Sequence, residues 1–148
     1  MIQTKRPTLF PLPIAGWKEH VTFPRLKLGP LVAKLDTGAR TAALHADEIE
    51  VTGKRVRFVI EMDGKKKTFK APLAGHKRVK SSNGHSELRA VIRATLELGM
   101  HVFKAEITLT DRTDMGVPML LGRNSIKGHF IVNPARTFLL RTRKKTAP

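Results

Sequence analysis

Cysteine is absent from the 148 residues. That excludes disulfides, thiolate catalysis, cysteine-type zinc sites and iron–sulfur clusters, and fits a reducing compartment. Tyrosine is also absent, tryptophan occurs once, and aromatic residues make up 5% of the chain, so few bases could be stacked along a single strand. No apolar run approaches the length of a membrane span, and the N-terminus lacks an uninterrupted signal-type core. The expectation is a soluble, cytoplasmic chain with no membrane partner. Acidic residues are scarce: 12 Asp and Glu stand against 28 Lys and Arg, a net charge of +16. Such a surplus draws polyanions, and composition alone favours nucleic acid.

What is present suits one domain, since a chain of this length buries roughly 70% of the surface its unfolded form exposes. Strand-like alternation or β-branched runs occur at Val56–Met62, Lys67–Pro72, Leu88–Leu98, Val102–Thr110, Phe130–Val132 and Thr137–Arg141. Turn signals separate them at Asp63-Gly64, Asn83-Gly84, Gly99 and Asn133-Pro134. Helical periodicity is confined to a short stretch at Arg123–Ile126. The pattern predicts an all-β, mostly antiparallel domain, closed or sandwiched to protect its edges. Residues 1–15, with Pro7, Pro11 and Pro13, read as an arm, 16–140 as the domain, and 141–148 as a basic tail. Lys65-Lys66-Lys67 reads as the solvated end of a hairpin.

Leu31–Leu44, LVAKLDTGARTAAL, carries the most chemical information. An apolar strand runs into Asp36-Thr37-Gly38-Ala39, which holds a carboxylate at the tip of a tight loop. Gly38 would allow unusual dihedrals and close backbone approach, Ala39 keeps the loop floor small, and Thr37 offers a hydroxyl for an inter-loop hydrogen bond. Asp, Thr and Gly are also ordinary turn residues, so the tripeptide alone does not decide.

The late segment Pro118–Ile126, PMLLGRNSI, changes the balance. An apolar strand ends in Leu121-Gly122 and Arg123-Asn124 opens the short helix. Pairing this turn with an early Asp-Thr-Gly-Ala loop resembles the retropepsin architecture, in which the late strand threads beside the catalytic loop. The segments Gly16–Pro24, Leu35–Ala46, Val79–Arg89, Leu109–Ile126 and Phe130–Leu139, taken in order, resemble one bacterial and archaeal family. It is that of the retropepsin-like aspartic endopeptidases, also described as ATP-dependent zinc proteases. Its best-understood branch is encoded beside a ligase that adds glutamates to a ribosomal protein.

The resemblance implies a retropepsin-like acid-protease barrel with one short C-terminal helix. Aspartic proteolysis needs two carboxylates sharing one proton, and this chain has a single Asp-Thr-Gly. The second must come from another subunit, giving an obligate homodimer with paired Asp36 residues on its two-fold axis. Asp36, Thr37 and Gly38 are then the catalytic loop. Arg40 stands where viral relatives usually carry an acidic residue near the peptide, and its guanidinium can grip carboxylates bidentately. Lys80, Ser81, Ser82, Asn83 and Arg89 lie on the hairpin that would cover the cleft, with His85 beside them. These groups suit an acidic peptide, and the family branch implies glutamate tails of a ribosomal protein, with a functional link to the glutamate ligase. The family commonly has Ser where this chain has Ala42, so one hydroxyl near the loop is missing.

No cofactor is expected. The six histidines, His20, His45, His76, His85, His101 and His129, show no HExxH or other close ligand spacing. No phosphate-binding loop is present, since Gly53-Lys54 and Gly64-Lys65 lack both the earlier glycine and the following hydroxyl. The competing reading is a non-catalytic basic β-barrel that binds RNA or the ribosome. The tail Arg141–Lys145 and the cations near Lys77–Lys80 favour it, and the lack of an RNA-recognition signature opposes it. An enzyme could also use such a tail to approach the ribosome.

Overall fold

The computed structural model describes residues 11–81, 83–112 and 115–141. Ser82 and most of the basic tail therefore lie outside the described residues, as do the first ten residues of the expected arm. The chain runs through β1 (Ile14–Gly16), β2 (Lys18–Phe23), β3 (Leu28–Leu35), β4 (Ala42–His45), β5 (Asp47–Thr52), β6 (Arg55–Met62) and β7 (Lys65–Pro72). It continues through β8 (Gly75–Lys80), β9 (Ser86–Leu98), β10 (His101–Thr110), β11 (Met119–Leu121), α1 (Arg123–Ile126) and β12 (Ile131–Asn133).

The largest sheet runs β10-β4-β11-β3-β2-β9-β8, and β10 also pairs with β9. That pairing closes six strands into a barrel and leaves β8 hanging from the first half of β9. Closure removes most of the exposed edges an open sheet would carry. Inward-facing Val21, Phe23, Ala33, Leu44, Ile92 and Ile107 are fully buried and fill the barrel. Most pairings are antiparallel; β10–β4, β11–β3 and β1–β12 are parallel. A parallel pair cannot be joined by a tight hairpin, so long-range threading supplies all three.

A separate three-stranded sheet, β5-β6-β7, leaves the barrel between β4 and β8. Phe58 and Phe69 stack within it at 5.8 Å. Lys65, Lys66 and Lys67 are exposed at its hairpin end, as the sequence indicates.

Two chain-end expectations change. Ile14 and Ala15, inside the expected arm, belong to β1, which pairs in register with β12 (Ile14 with Ile131, Gly16 with Asn133) and buries Ala15 completely. Thr137–Arg141 is not a strand despite its alternation. Its backbone bonds go to a side chain instead: the buried Glu19 carboxylate accepts from Leu139 N at 2.8 Å, Leu140 N at 3.3 Å and Gly16 N at 2.6 Å. Phe138 N donates to Lys18 O at 2.9 Å. Glu19 thereby fastens both ends of the domain to β2, and Gly16 is required where an added Cβ would lie 2.5 Å from Arg136 O.

Candidate active site

The Asp36 loop leaves the end of β3 and is held almost entirely by backbone bonds from distant segments. Leu35 N donates to Trp17 O at 2.8 Å, and Asp36 N to Leu121 O at 2.8 Å. Within the loop, Gly38 N donates to Asp36 Oδ1 at 2.9 Å and Ala39 N to Asp36 O at 3.1 Å. Gly38 does not take a left-handed backbone, contrary to the expectation of unusual dihedrals. Its lack of a side chain matters through contact, since a Cβ there would stand 3.2 Å from Asp36 Oδ1. The Thr37 hydroxyl has no hydrogen-bond partner among the described residues.

The Gly-Arg-Asn turn closes over the loop from the other side. Arg123 N donates to Ala39 O at 2.8 Å, Asn124 N to Arg40 O at 3.1 Å, and Arg123 Nη1 to Thr37 O at 3.0 Å. Gly122 is the contact point: a Cβ would sit 2.6 Å from Thr41 O and 2.8 Å from Arg40 C. Any side chain would push the turn away from the loop, so glycine is dictated by packing. Ala42, buried beyond the loop, presents its carbonyl to Thr108 Oγ1 at 2.8 Å.

Asp36 opens into a groove of about 800 Å³, floored by Ala43 and Leu120. It is strongly cationic. Lys34, Arg40, Lys77, Arg78, Lys80, Arg89 and Arg112 line it, and Asp36 is its one carboxylate among the described residues. Arg40 and Lys80 are exposed there and form no ion pair among the described residues. Lys77 lies 3.7 Å from Glu106, and Arg78 Nη1 donates to Ser86 Oγ at 3.3 Å. Lys34 and Arg112 were not singled out from the sequence, and Lys77 and Arg78 were weighed there only for the RNA-binding reading. The two-residue spacing of Lys34 from Asp36 in the sequence was the available signal.

The remaining proposed substrate residues divide. Arg89 lines the groove but is buried, its Nε 2.9 Å from Glu87 Oε1 and its Nη1 3.4 Å from Thr108 Oγ1. Glu87 also accepts from Thr110 Oγ1 at 3.2 Å. Ser81 and Asn83 line a neighbouring cavity of about 190 Å³ that shares Val79, Arg89 and Arg112 with the groove. Their polar groups are turned on the hairpin itself: Ser81 Oγ donates to Asn83 Oδ1, His85 N to Asn83 Oδ1 at 3.2 Å, and Ser81 N to His85 O at 2.7 Å.

Among the described residues no three His, Asp or Glu side chains gather to hold a metal. The zinc in the family's second description finds no such ligand set in them. No helix among these residues is long and apolar enough to cross a membrane.

A single Asp-Thr-Gly loop clamped by a late Gly-Arg-Asn turn, on a closed six-stranded barrel, is a retropepsin-like arrangement. The description "Retropepsin-like aspartic endopeptidase RimB" belongs to a family model that matches residues 14–144. The chain is a member of this RimB-like family. It is 34% identical over 135 residues to a "Probable alpha-L-glutamate ligase" of Shewanella pealeana, covering 86% of this chain and 30% of that protein. A protein of the same description from Desulfotalea psychrophila is 34% identical over 130 residues, covering 82% and 28%. The chain thus spans under a third of the length of the curated relatives it matches. A crystal structure of a Legionella pneumophila protein of unknown function superposes with a TM-score of 0.72 at 33% identity, covering 86% of this chain and 97% of that one.

Proposed function

We propose that this chain is an aspartic endopeptidase that hydrolyses glutamate-rich peptide tails, with a ribosomal protein as the natural bearer, and that it works as a homodimer with one Asp36 from each subunit. The observation that carries the reading is Asp36 at a groove whose other charged groups, among the described residues, are all cations. A polyanionic chain would find complementary charge along such a groove, and a neutral peptide would not. The longer relatives named as glutamate ligases fit a chemistry in which glutamates are both added and removed.

Dimerisation follows from the chemistry and has support in the surface. Ile14 and Ile131 stand in register on the two-stranded β1–β12 sheet, each 54% exposed, and the unpartnered Thr37 hydroxyl lies next to Asp36. In the dimer, the ionised Asp36 takes a proton from water as the water oxygen attacks the scissile carbonyl carbon. The protonated Asp36 gives its hydrogen to the carbonyl oxygen. As the tetrahedral diol collapses, the C–N bond breaks, the amine leaves with the proton that the first Asp36 took from water, and a diol hydroxyl returns its proton to the second Asp36. Residues 142–148, which carry Arg143, Lys144 and Lys145, would serve approach to the ribosome.

The test is incubation of the purified chain with α-linked and γ-linked oligoglutamates, with products read by mass spectrometry. Cleavage should survive EDTA and need no nucleotide. Asp36→Asn should lower kcat by a factor of about 10³ or more while the dimer persists in sedimentation. Arg40→Glu should raise KM for oligoglutamate far more than for a neutral peptide. Substantial turnover by Asp36→Asn would overturn the assignment. Steeply salt-dependent RNA binding without cleavage would replace it with the binding-module reading.

A further inference from the structure

Among the described residues, Lys34 is the one groove cation on β3, two residues before Asp36, which follows the end of that strand. Both residues line the groove. Lys34 faces Leu120 of β11 in register, and Leu120 faces Ala43 of β4. The groove floor is therefore one row across three strands in which the only charged member is Lys34.

Its surroundings leave that charge unanswered. Lys34 is half-buried and forms no ion pair among the described residues, with Asp36 or with any other carboxylate. Its partner across β2 is Lys18, another cation, whose Nζ sits 4.8 Å over the Trp17 ring and so has a counterpart of its own. A partly desolvated ammonium without a carboxylate is unfavourable unless a ligand brings one.

We propose that Lys34 is a carboxylate-binding subsite at the floor of the groove, taking the free carboxylate of a glutamate residue that flanks the bond cleaved at Asp36. The proposal rests on the acidic-substrate reading above and assigns the residue next to the cut. Arg40 and Lys80, exposed at the loop and hairpin, contact more distant parts of the chain. In an α-linked substrate the bound group is the side-chain carboxylate, and in a γ-linked one the α-carboxylate.

The experiment uses the full chain and Lys34→Met and Lys34→Arg variants of matched thermal midpoint, against hexaglutamate peptides of each linkage and a series with norleucine at one position at a time. Lys34→Met should lower kcat/KM on hexaglutamate by about 30-fold, with norleucine beside the cut restoring it to within about threefold, and Lys34→Arg should keep the acidic preference. An equal loss on the glutamate and norleucine peptides, or no loss, overturns the subsite. Binding of labelled hexaglutamate in the Asp36→Asn background separates the two readings. If the wild type cuts no acidic peptide, the proposed function falls, and the subsite then stands or falls on whether Lys34→Met weakens binding of hexaglutamate about tenfold more than of its norleucine analogue.

Discussion

The Asp36 loop and the Ser81–His85 hairpin tip both border the groove, yet they are held in opposite ways. The loop receives or gives backbone hydrogen bonds to Trp17, Leu121, Arg123 and Asn124, residues far away in sequence. The tip's polar groups bond to one another, as Ser81, Asn83, Gly84 and His85 close a small ring of their own. In the proposed dimer Asp36 would meet its symmetry partner within hydrogen-bond distance, and a group so placed needs over-determined geometry. A cover over the substrate needs only a stable local shape, so it can be built from adjacent residues. The two regions should consequently respond differently to substitution.

The largest difference is expected at Gly122. Gly122→Ala places a methyl against the Arg40–Thr41 backbone, which cannot retreat without moving Asp36. Stability should fall by about 3 kcal/mol or more, read as the denaturation midpoint, with activity falling further than stability explains. A fold that accepts the methyl without loss would show that the clamp is looser than its distances indicate.

Glu19→Ala comes next. It strips the acceptor from three backbone N–H groups in a buried place, a loss of about 2–3 kcal/mol. Because Trp17 O holds Leu35 N, activity should decline with it. A smaller effect is expected at His129, which stacks on Phe103 at 4.1 Å just after the clamping turn. Burial, and then the nearby His101, lowers its pKa from the ordinary 6.5. The unfolded chain therefore binds this proton more readily, and the associated stability is intact above pH 6.5 and is lost as pH falls through the lowered folded value. Thermal midpoints across that window should decline in the wild type and decline less in His129→Phe.

Asn83→Ala should matter least for folding, within about 0.5 kcal/mol, because its bonds are local and exposed. Its effect, if the hairpin covers substrate, should appear as a higher KM with kcat little changed. A drop in kcat equal to that of a loop variant would dissolve the distinction between the two regions.

Much of the site was legible because its signals are contiguous. Asp36-Thr37-Gly38-Ala39 and Gly122-Arg123-Asn124 are short runs whose residue types report local turns, and the hairpins announce themselves through alternation and Gly turns. What escaped notice depends on neighbours that are remote in sequence. Arg89 read as a free cation on a hairpin, and the barrel buries it against Glu87 and Thr108. Thr137–Arg141 alternates like a strand, but Glu19, about 120 positions earlier, takes the N–H groups that a ladder would need. Lys34 read as part of an apolar strand until its row with Leu120 and Ala43 became visible.

The amino-acid sequence by itself determined the all-β class, the single Asp-Thr-Gly loop, the Gly-Arg-Asn turn and the excess of positive charge, since each is a matter of composition or of adjacent residues. Only the tertiary structure decided which cations share a groove with Asp36, which are tied up elsewhere, and how the chain ends are fastened. The reason is physical: local conformation follows from neighbours along the chain, whereas burial and charge pairing follow from neighbours in space, and closing the barrel brings residues together across most of the chain's length.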